Sequence, residues 1–145
     1  MTRINLVPPE ELMDQHLFAE YREIKMVPKS LARSIEARGI EEVLDMVPLS
    51  FRLNTGHVSF FYDKGAYLYA RYEALKDELT RRGVNFDKTR ALDPDGVLVQ
   101  DPRFMGSYTP TPQALEIVRE RIRERVADKP DWYKYKGVAI YARTK

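Results

Sequence analysis

The chain has 145 residues, 43% of them hydrophobic and 32% charged, with a formal net charge of +2, as expected for one globular domain with a single core. It contains no cysteine and only two histidines, His16 and His57, which excludes disulfides, thiol catalysis and Cys-ligated metals and disfavours a His-rich metal centre. No apolar run approaches the ~18–20 residues that span a bilayer, and without a targeting segment the expected compartment is the cytoplasm.

The chain begins Met1-Thr2-Arg3-Ile4-Asn5-Leu6. A small residue after the initiator normally permits loss of Met1, which leaves a free α-amine on Thr2. Such an amine titrates near ~7.7–8.0, against ~10.4 for a lysine, so roughly a tenth of it is unprotonated at neutral pH. It is then a ready nucleophile for Schiff-base chemistry. Position alone favours an ordinary frayed terminus, and the amine matters only if the rest of the chain builds a site around it.

The first helical stretch opens after Pro8-Pro9, with Glu10 and Glu11 at its positive end. It runs through Arg22 and Glu23 to about Met26, where Pro28 should kink or interrupt it. Helical pattern resumes at Ser30-Leu31, with Leu31 and Ile35 on one face, and ends at Gly39. Residues 40–47 could form a short helix, and the apolar run Val58-Ser59-Phe60-Phe61-Tyr62 could be a buried extended segment. The second helix follows Asp63, a plausible N-cap, and carries Leu68, Tyr72, Leu75 and Leu79 at helical spacing up to Gly83. Residues 84–110, with the turn signals Asp93-Pro94-Asp95-Gly96 and Asp101-Pro102, read as a long loop of the kind that often serves function. The third helix opens at Thr111-Pro112, carries the stripe Leu115, Val118, Ile122 and Val126, and ends before Pro130. The expected architecture is all-α: a compact single domain over residues 1–145, with three main helices and long irregular connections.

On a helix turning about 100° per residue, Met13, Leu17, Tyr21 and Ile24 face the core. Gln15, His16, Ala19, Arg22 and Glu23 take the opposite side. Any one of these polar residues is ordinary on a solvated face. Together they offer a carboxylate for proton transfer or for stabilising a cationic intermediate, a guanidinium whose fork matches phosphate, and a carboxamide able to read base edges. Small Ala19 near the middle lets a ligand approach the backbone.

The charge is unevenly spread. Residues 119–145 hold nine Lys/Arg against four acids, a surplus of five, so the first 118 residues sum to −3. With Trp132, Tyr133, Tyr135 and Tyr141 interleaved, this basic quarter could track a nucleic-acid backbone; a solvated helix face and tail is the other reading.

Three blocks carry a resemblance. One runs from Thr2-Arg3-Ile4-Asn5-Leu6 through Asp14-Gln15-His16-Leu17 and Ala19-Glu20-Tyr21-Arg22-Glu23. The second is Gly56-His57-Val58-Ser59-Phe60-Phe61-Tyr62-Asp63-Lys64. The third is Lys129-Pro130-Asp131-Trp132-Tyr133-Lys134-Tyr135, continuing to Gly137 and Ala139-Ile140-Tyr141-Ala142. In these the chain resembles the phage-type pyrimidine-dimer DNA glycosylases, the ultraviolet-damage endonucleases called endonuclease V.

The resemblance implies a bifunctional enzyme that uses no metal or other cofactor. It would cut the glycosidic bond of the 5′ pyrimidine of a cyclobutane dimer and then break the backbone at the abasic site by β-elimination. Thr2 would supply the nucleophilic α-amine and Glu23 would stabilise the cationic sugar and assist proton transfers. Arg3 and Arg22 would hold phosphates, Gln15 and His16 would lie along the DNA, and Arg121 and Arg125 match two basic DNA-contacting positions. Such an enzyme selects a lesion by its deformability and opens the stack by extruding a nucleotide, here the adenine opposite the dimer. The implied partner is double-stranded DNA carrying dimers or abasic sites. No membrane is involved, and a monomer is expected, nucleoid-associated in a prokaryotic or virus-infected cell.

One position departs from the pattern: where the family has an arginine three residues after the catalytic glutamate, this chain has Met26. Lys25 and Lys29 are the nearby candidates for its phosphate contact, though a lysine lacks the bidentate fork. His57 reads as structural, because it precedes a buried apolar run. The alternatives are a non-catalytic damaged-DNA-binding module of the same fold and a helical protein-interaction domain with solvated charges.

Overall fold

A computed structural model describes residues 4–139. The architecture is all-α as expected, with the helices α1 (Asp14–Glu23), α2 (Met26–Arg38), α3 (Ile40–Asp45), α4 (His57–Phe60), α5 (Gly65–Arg81) and α6 (Pro112–Asp128). A two-stranded antiparallel hairpin, β1 (Lys134–Tyr135) and β2 (Val138–Ala139), follows α6.

The first helical stretch is not continuous. Pro9–Glu11 make only a 3-10 turn, and Leu12 and Met13 are extended before α1 begins. That break drops Leu12 into the core, fully buried. At the other end a continuous helix would press the Pro28 ring against the Ile24 carbonyl. Instead α1 stops at Glu23 and α2 restarts at Met26. Pro28 then sits in the first turn of α2, where a missing N–H costs nothing. Three expected helices therefore become four of ten residues or more among the described residues, and the turn between α1 and α2 places Lys25 at a corner.

Two further expectations are corrected. Residues His57–Phe60 form a helical turn rather than an extended segment. The run still supplies the core, with Phe60, Phe61 and Tyr62 buried. Asp63 does not cap α5; Lys64 holds the N-cap position. The Asp63 carbonyl instead accepts from Gly106 N–H at 3.1 Å, and Ala66 N–H donates to the Gly106 carbonyl at 3.1 Å. The two backbones meet where no side chain fits: a Cβ on Gly65 would lie 2.6 Å from Met105 Sδ, and one on Gly106 would strike the Asp63 carbonyl.

The other helix ends follow the local sequence. Thr111 Oγ1 accepts from Ala114 N–H at 3.0 Å and Pro112 fills the first helical position of α6, a standard N-cap. Helix α5 ends with Gly83 at φ +73. Val84 N–H reaches the Leu79 carbonyl and Gly83 N–H the Thr80 carbonyl, both at 3.0 Å, which is the Schellman arrangement. Leu68, Tyr72, Leu75 and Leu79 of α5 pack with Leu17 and Tyr21 of α1 and with Ile24 just past it in one buried cluster. The loop over 84–110 contains only two short 3-10 turns, and Leu92, Leu98 and Phe104 pin it to the core. Among the described residues no helix is long and apolar enough to cross a membrane.

Candidate active site

Thr2 and Arg3 lie outside the described residues, but the segment that follows them is fixed at every step. Ile4 N–H donates to His57 Nε2 at 2.8 Å, and His57 Nδ1 lies 2.9 Å from the Arg52 carbonyl. With a donor on one nitrogen and an acceptor on the other, the ring is the neutral tautomer protonated at Nδ1. It is buried, with the edges of Phe51 and Phe61 against it. The structural role expected for His57 thus takes a definite form: it anchors the backbone at Ile4.

Asn5 is held next. Its N–H and its Nδ2 both donate to Glu20 Oε1, at 3.1 and 2.9 Å. Glu20 in turn receives a two-pronged bond from Arg71 of α5, Nε to Oε2 at 2.6 Å and Nη2 to Oε1 at 2.9 Å. Arg71 Nη1 donates to the Val7 carbonyl as well. Between these anchors Leu6 takes φ +60, and Val7 N–H closes on the Asn5 carbonyl at 2.5 Å. This is a γ-turn of the strained kind, which persists only where its surroundings over-determine it. Burial alone would lower the Arg71 guanidinium; the charge and hydrogen bonds of Glu20 outweigh it and hold the group above the ordinary arginine range.

A second polar network ties the C-terminal hairpin to the start of α1. Asp14 Oδ1 accepts from Arg82 Nη1 and from Lys136 N–H, both at 2.9 Å, and Oδ2 accepts from Gly137 N–H at 2.7 Å. Lys136 and Gly137 both have positive φ, +51 and +80, as a two-residue hairpin turn of the primed type requires. Arg82 also binds Glu78 and lies 4.3 Å from the centre of the Tyr135 ring. Gln15 is used the same way: its Nε2 donates to the Trp132 carbonyl at 2.6 Å and its Oε1 accepts from Lys134 N–H at 3.0 Å.

Between the two networks lies open space. A cleft of about 180 Å³ is lined by Asn5, His16, Ala19, Glu20, Glu23, Arg121, Ile122 and Arg125. It adjoins a groove of about 350 Å³ that shares His16, Ala19 and Arg125 with it and adds Gln15, Asp128, Lys129, Trp132 and Tyr133. The polar face expected on α1 therefore meets the α6 positions Arg121 and Arg125. Small Ala19 lies on the floor common to both hollows. His16 stacks on Tyr133 with ring centres 4.7 Å apart, and Trp132 is 55% exposed at the groove's edge.

Ion pairing divides the cations among the described residues, and those without a pair include this face together with Arg33, Arg52 and Lys88 elsewhere. Arg71, Arg81, Arg82, Arg103, Arg119 and Arg123 each contact a carboxylate at 2.9 Å or less. Arg22, Lys25, Lys29, Arg121 and Arg125 form no ion pair among the described residues. Arg125 Nε is buried without a hydrogen-bond partner among the described residues, a costly state unless something binds there. Glu23 makes no ion pair or side-chain hydrogen bond among the described residues either.

Of the site residues expected from sequence, Gln15, His16, Glu23, Arg121 and Arg125 line the cleft and groove. Arg22 is exposed beside Glu23, and Lys25 lies at the α1–α2 corner with its amine 4.4 Å from the centre of the Tyr21 ring. Sequence reasoning missed Asp14, Glu20, Arg71 and Arg82. The signal was present for two of them: Arg71 falls between Leu68 and Leu75 on the buried stripe of α5, and Glu20 adjoins Leu17, Tyr21 and Ile24. A charge inside an apolar stripe calls for a buried partner.

The family model for pyrimidine dimer DNA glycosylases matches residues 1–92. The matched span holds the anchored N-terminal segment, helices α1 to α5 and the Glu20–Arg71 pair, while α6 and the hairpin lie beyond it. The chain belongs to the pyrimidine dimer DNA glycosylase family, whose substrate is DNA carrying pyrimidine dimers.

Proposed function

We propose that the protein both excises the 5′ pyrimidine of a cyclobutane dimer and nicks the resulting abasic site, with the α-amine of Thr2 as nucleophile. The observation that carries this reading is the cleft in which Glu23, Arg121 and Arg125 face Asn5. Asn5 is three residues after Thr2, and three extended residues span at most about 10 Å. That short tether from the cleft wall supports a reading in which the amine reaches the carboxylate.

The chemistry balances without an external oxidant or reductant. The amine lone pair attacks C1′ of the deoxyribose, the C1′–N1 bond breaks, and its electrons leave with the pyrimidine, which takes up a proton. The amine nitrogen loses a proton and the sugar ring opens onto O4′, giving a protonated imine. That cation acidifies the 2′ hydrogen; its removal expels the 3′ phosphate, and water then hydrolyses the imine to release the protein. Glu23 stabilises the cationic sugar in the first step and accepts the 2′ proton in the elimination. Arg22, Arg121 and Arg125 hold phosphates that flank the lesion, with Arg3 as a further contact. Gln15 and His16 fix the Trp132–Lys134 segment against α1, so that it forms one wall of the DNA groove.

Borohydride reduction tests this directly. It should trap a covalent protein–DNA adduct on dimer-containing duplex, and chemical blocking of the terminal amine should abolish the adduct. Binding of irradiated plasmid without an adduct or a nick would identify a non-catalytic damage-binding module instead.

A further inference from the structure

The α1–α2 corner carries a second concentration of positive charge that the cleft does not use. Tyr21 and Tyr72 stack face to face, with ring centres 5.3 Å apart and planes within 5°. The Lys25 ammonium lies over this shelf, 4.4 Å from the Tyr21 centre and 5.7 Å from the Tyr72 centre. The same two tyrosines fasten the loop after α5. Tyr21 Oη donates to the Asp87 carbonyl at 3.1 Å and Tyr72 Oη to the Arg90 carbonyl at 2.8 Å. Phe86 adds an edge contact on Tyr21, with centres 5.3 Å apart. The backbone at Arg90 is thereby fixed, its charge is near enough to act on Lys25, and Lys29 follows Lys25 by one helical turn.

The charges here are not balanced. Asp87 is turned to Thr89, whose N–H and hydroxyl it accepts at 2.9 and 2.5 Å, and it stands 3.9 Å from Arg90. Lys25 and Lys29 pair with no carboxylate among the described residues. Burial, then the nearby charges of Arg90 and Lys29, push the Lys25 amine below the ordinary lysine range, with Asp87 opposing. This crowding arises in the part of the chain that is net negative, −3 over residues 1–118, so it is not a by-product of general basicity.

We propose that Lys25, Lys29 and Arg90 form a second phosphate grip for the DNA duplex, with Arg90 on the tyrosine-fastened loop supplying the guanidinium fork that Met26 cannot. The proposal rests on the DNA-cleaving role assigned above. Arg22, exposed three residues before Lys25, continues the basic ridge from the Glu23 cleft to this corner. Met26, 44% exposed at the start of α2, leaves the corner open for a backbone phosphate. A planar fork on a fixed loop takes up two phosphate oxygens at once, with the two lysines as point charges beside it.

The test is the salt dependence of binding to dimer-containing duplex between 50 and 200 mM salt, using the intact protein. Each lost phosphate contact should lower the slope of log K against log[salt] by about one. Arg90→Gln should show that loss and Arg90→Lys should recover most of it. Met26→Arg should restore the slope in the Arg90→Gln protein while adding less to the parent. The Arg90 side chain is 69% exposed, so these variants should fold, and a thermal melt checks that they do. An unchanged slope in Arg90→Gln, or an equal gain from Met26→Arg in both backgrounds, overturns the grip. Borohydride trapping by the parent protein separates the two readings. A trapped adduct with an unchanged slope removes the grip alone; a lowered slope with no adduct removes the lyase chemistry and keeps the grip.

Discussion

Glu20 and Glu23 stand three residues apart on α1 and have opposite fates. Glu20 has a fully buried side chain and is saturated by Arg71 and by both donors of Asn5. Glu23 opens onto the cleft with no partner among the described residues. The first carboxylate builds the wall that holds the chain's leading segment. The second is left with its lone pairs available at that wall. A protein interior tolerates a charge only when it is paired and bonded, so a saturated carboxylate reads as scaffold. A half-buried one among unpaired arginines reads as a site.

The comparison breaks most visibly at the scaffold. Replacing Arg71 with Leu should cost about 3–5 kcal/mol, because it leaves Glu20 buried without its counter-charge, and a urea melt would register it as a lowered midpoint. A loss well under that range would mean that Glu20 is not confined as described. The next effect belongs to Glu23. Glu23→Gln should slow single-turnover nicking of dimer-containing duplex by about a hundredfold or more while binding and the urea midpoint stay near those of the parent. Parental cutting rates in that variant would remove Glu23 from the chemistry.

The smallest effect sharpens the same contrast among cations on a single helix. Arg119 of α6 is engaged by Glu11 through two bonds, at 3.1 and 2.9 Å, whereas Arg121, two residues on, lines the cleft without an ion pair among the described residues. Arg121→Ala should lower the salt slope of DNA binding by about one, and Arg119→Ala should leave it unchanged. Equal slopes for both variants would show that ion pairing does not distinguish the DNA-facing cations from the rest.

Much of this was legible in local sequence. Thr111-Pro112 marked the start of α6, Gly83 the end of α5 and Pro28 the interruption of the first helical stretch, because caps and prolines act over a few residues. The stripe on α5 named its core positions for the same reason. The α1 face carrying Gln15, His16 and Glu23 was readable from a period of about 3.6 residues. Local pattern failed at Val58–Phe61, where an apolar run without clear periodicity fits a buried strand or a buried helical turn equally well. It failed again at Asp63, whose backbone is claimed by Gly106, forty-three residues away. Asp14 carried no assignment from local pattern, because its three partners come from Arg82, just past α5, and from the hairpin turn.

The sequence by itself determined the helical class, the C-terminal ends of α2 and α5, both ends of α6, the family and the residue types available for chemistry, since each rests on near neighbours or on whole motifs. Which carboxylate is sealed and which is open, and which cations find partners, was decided only by tertiary contacts. Arg71 reaches Glu20 across fifty-one residues and His57 reaches Ile4 across fifty-three. Pairing over such separations depends on how α1, α5 and the N-terminal segment pack, and periodicity along one helix carries no information about what lies across from it.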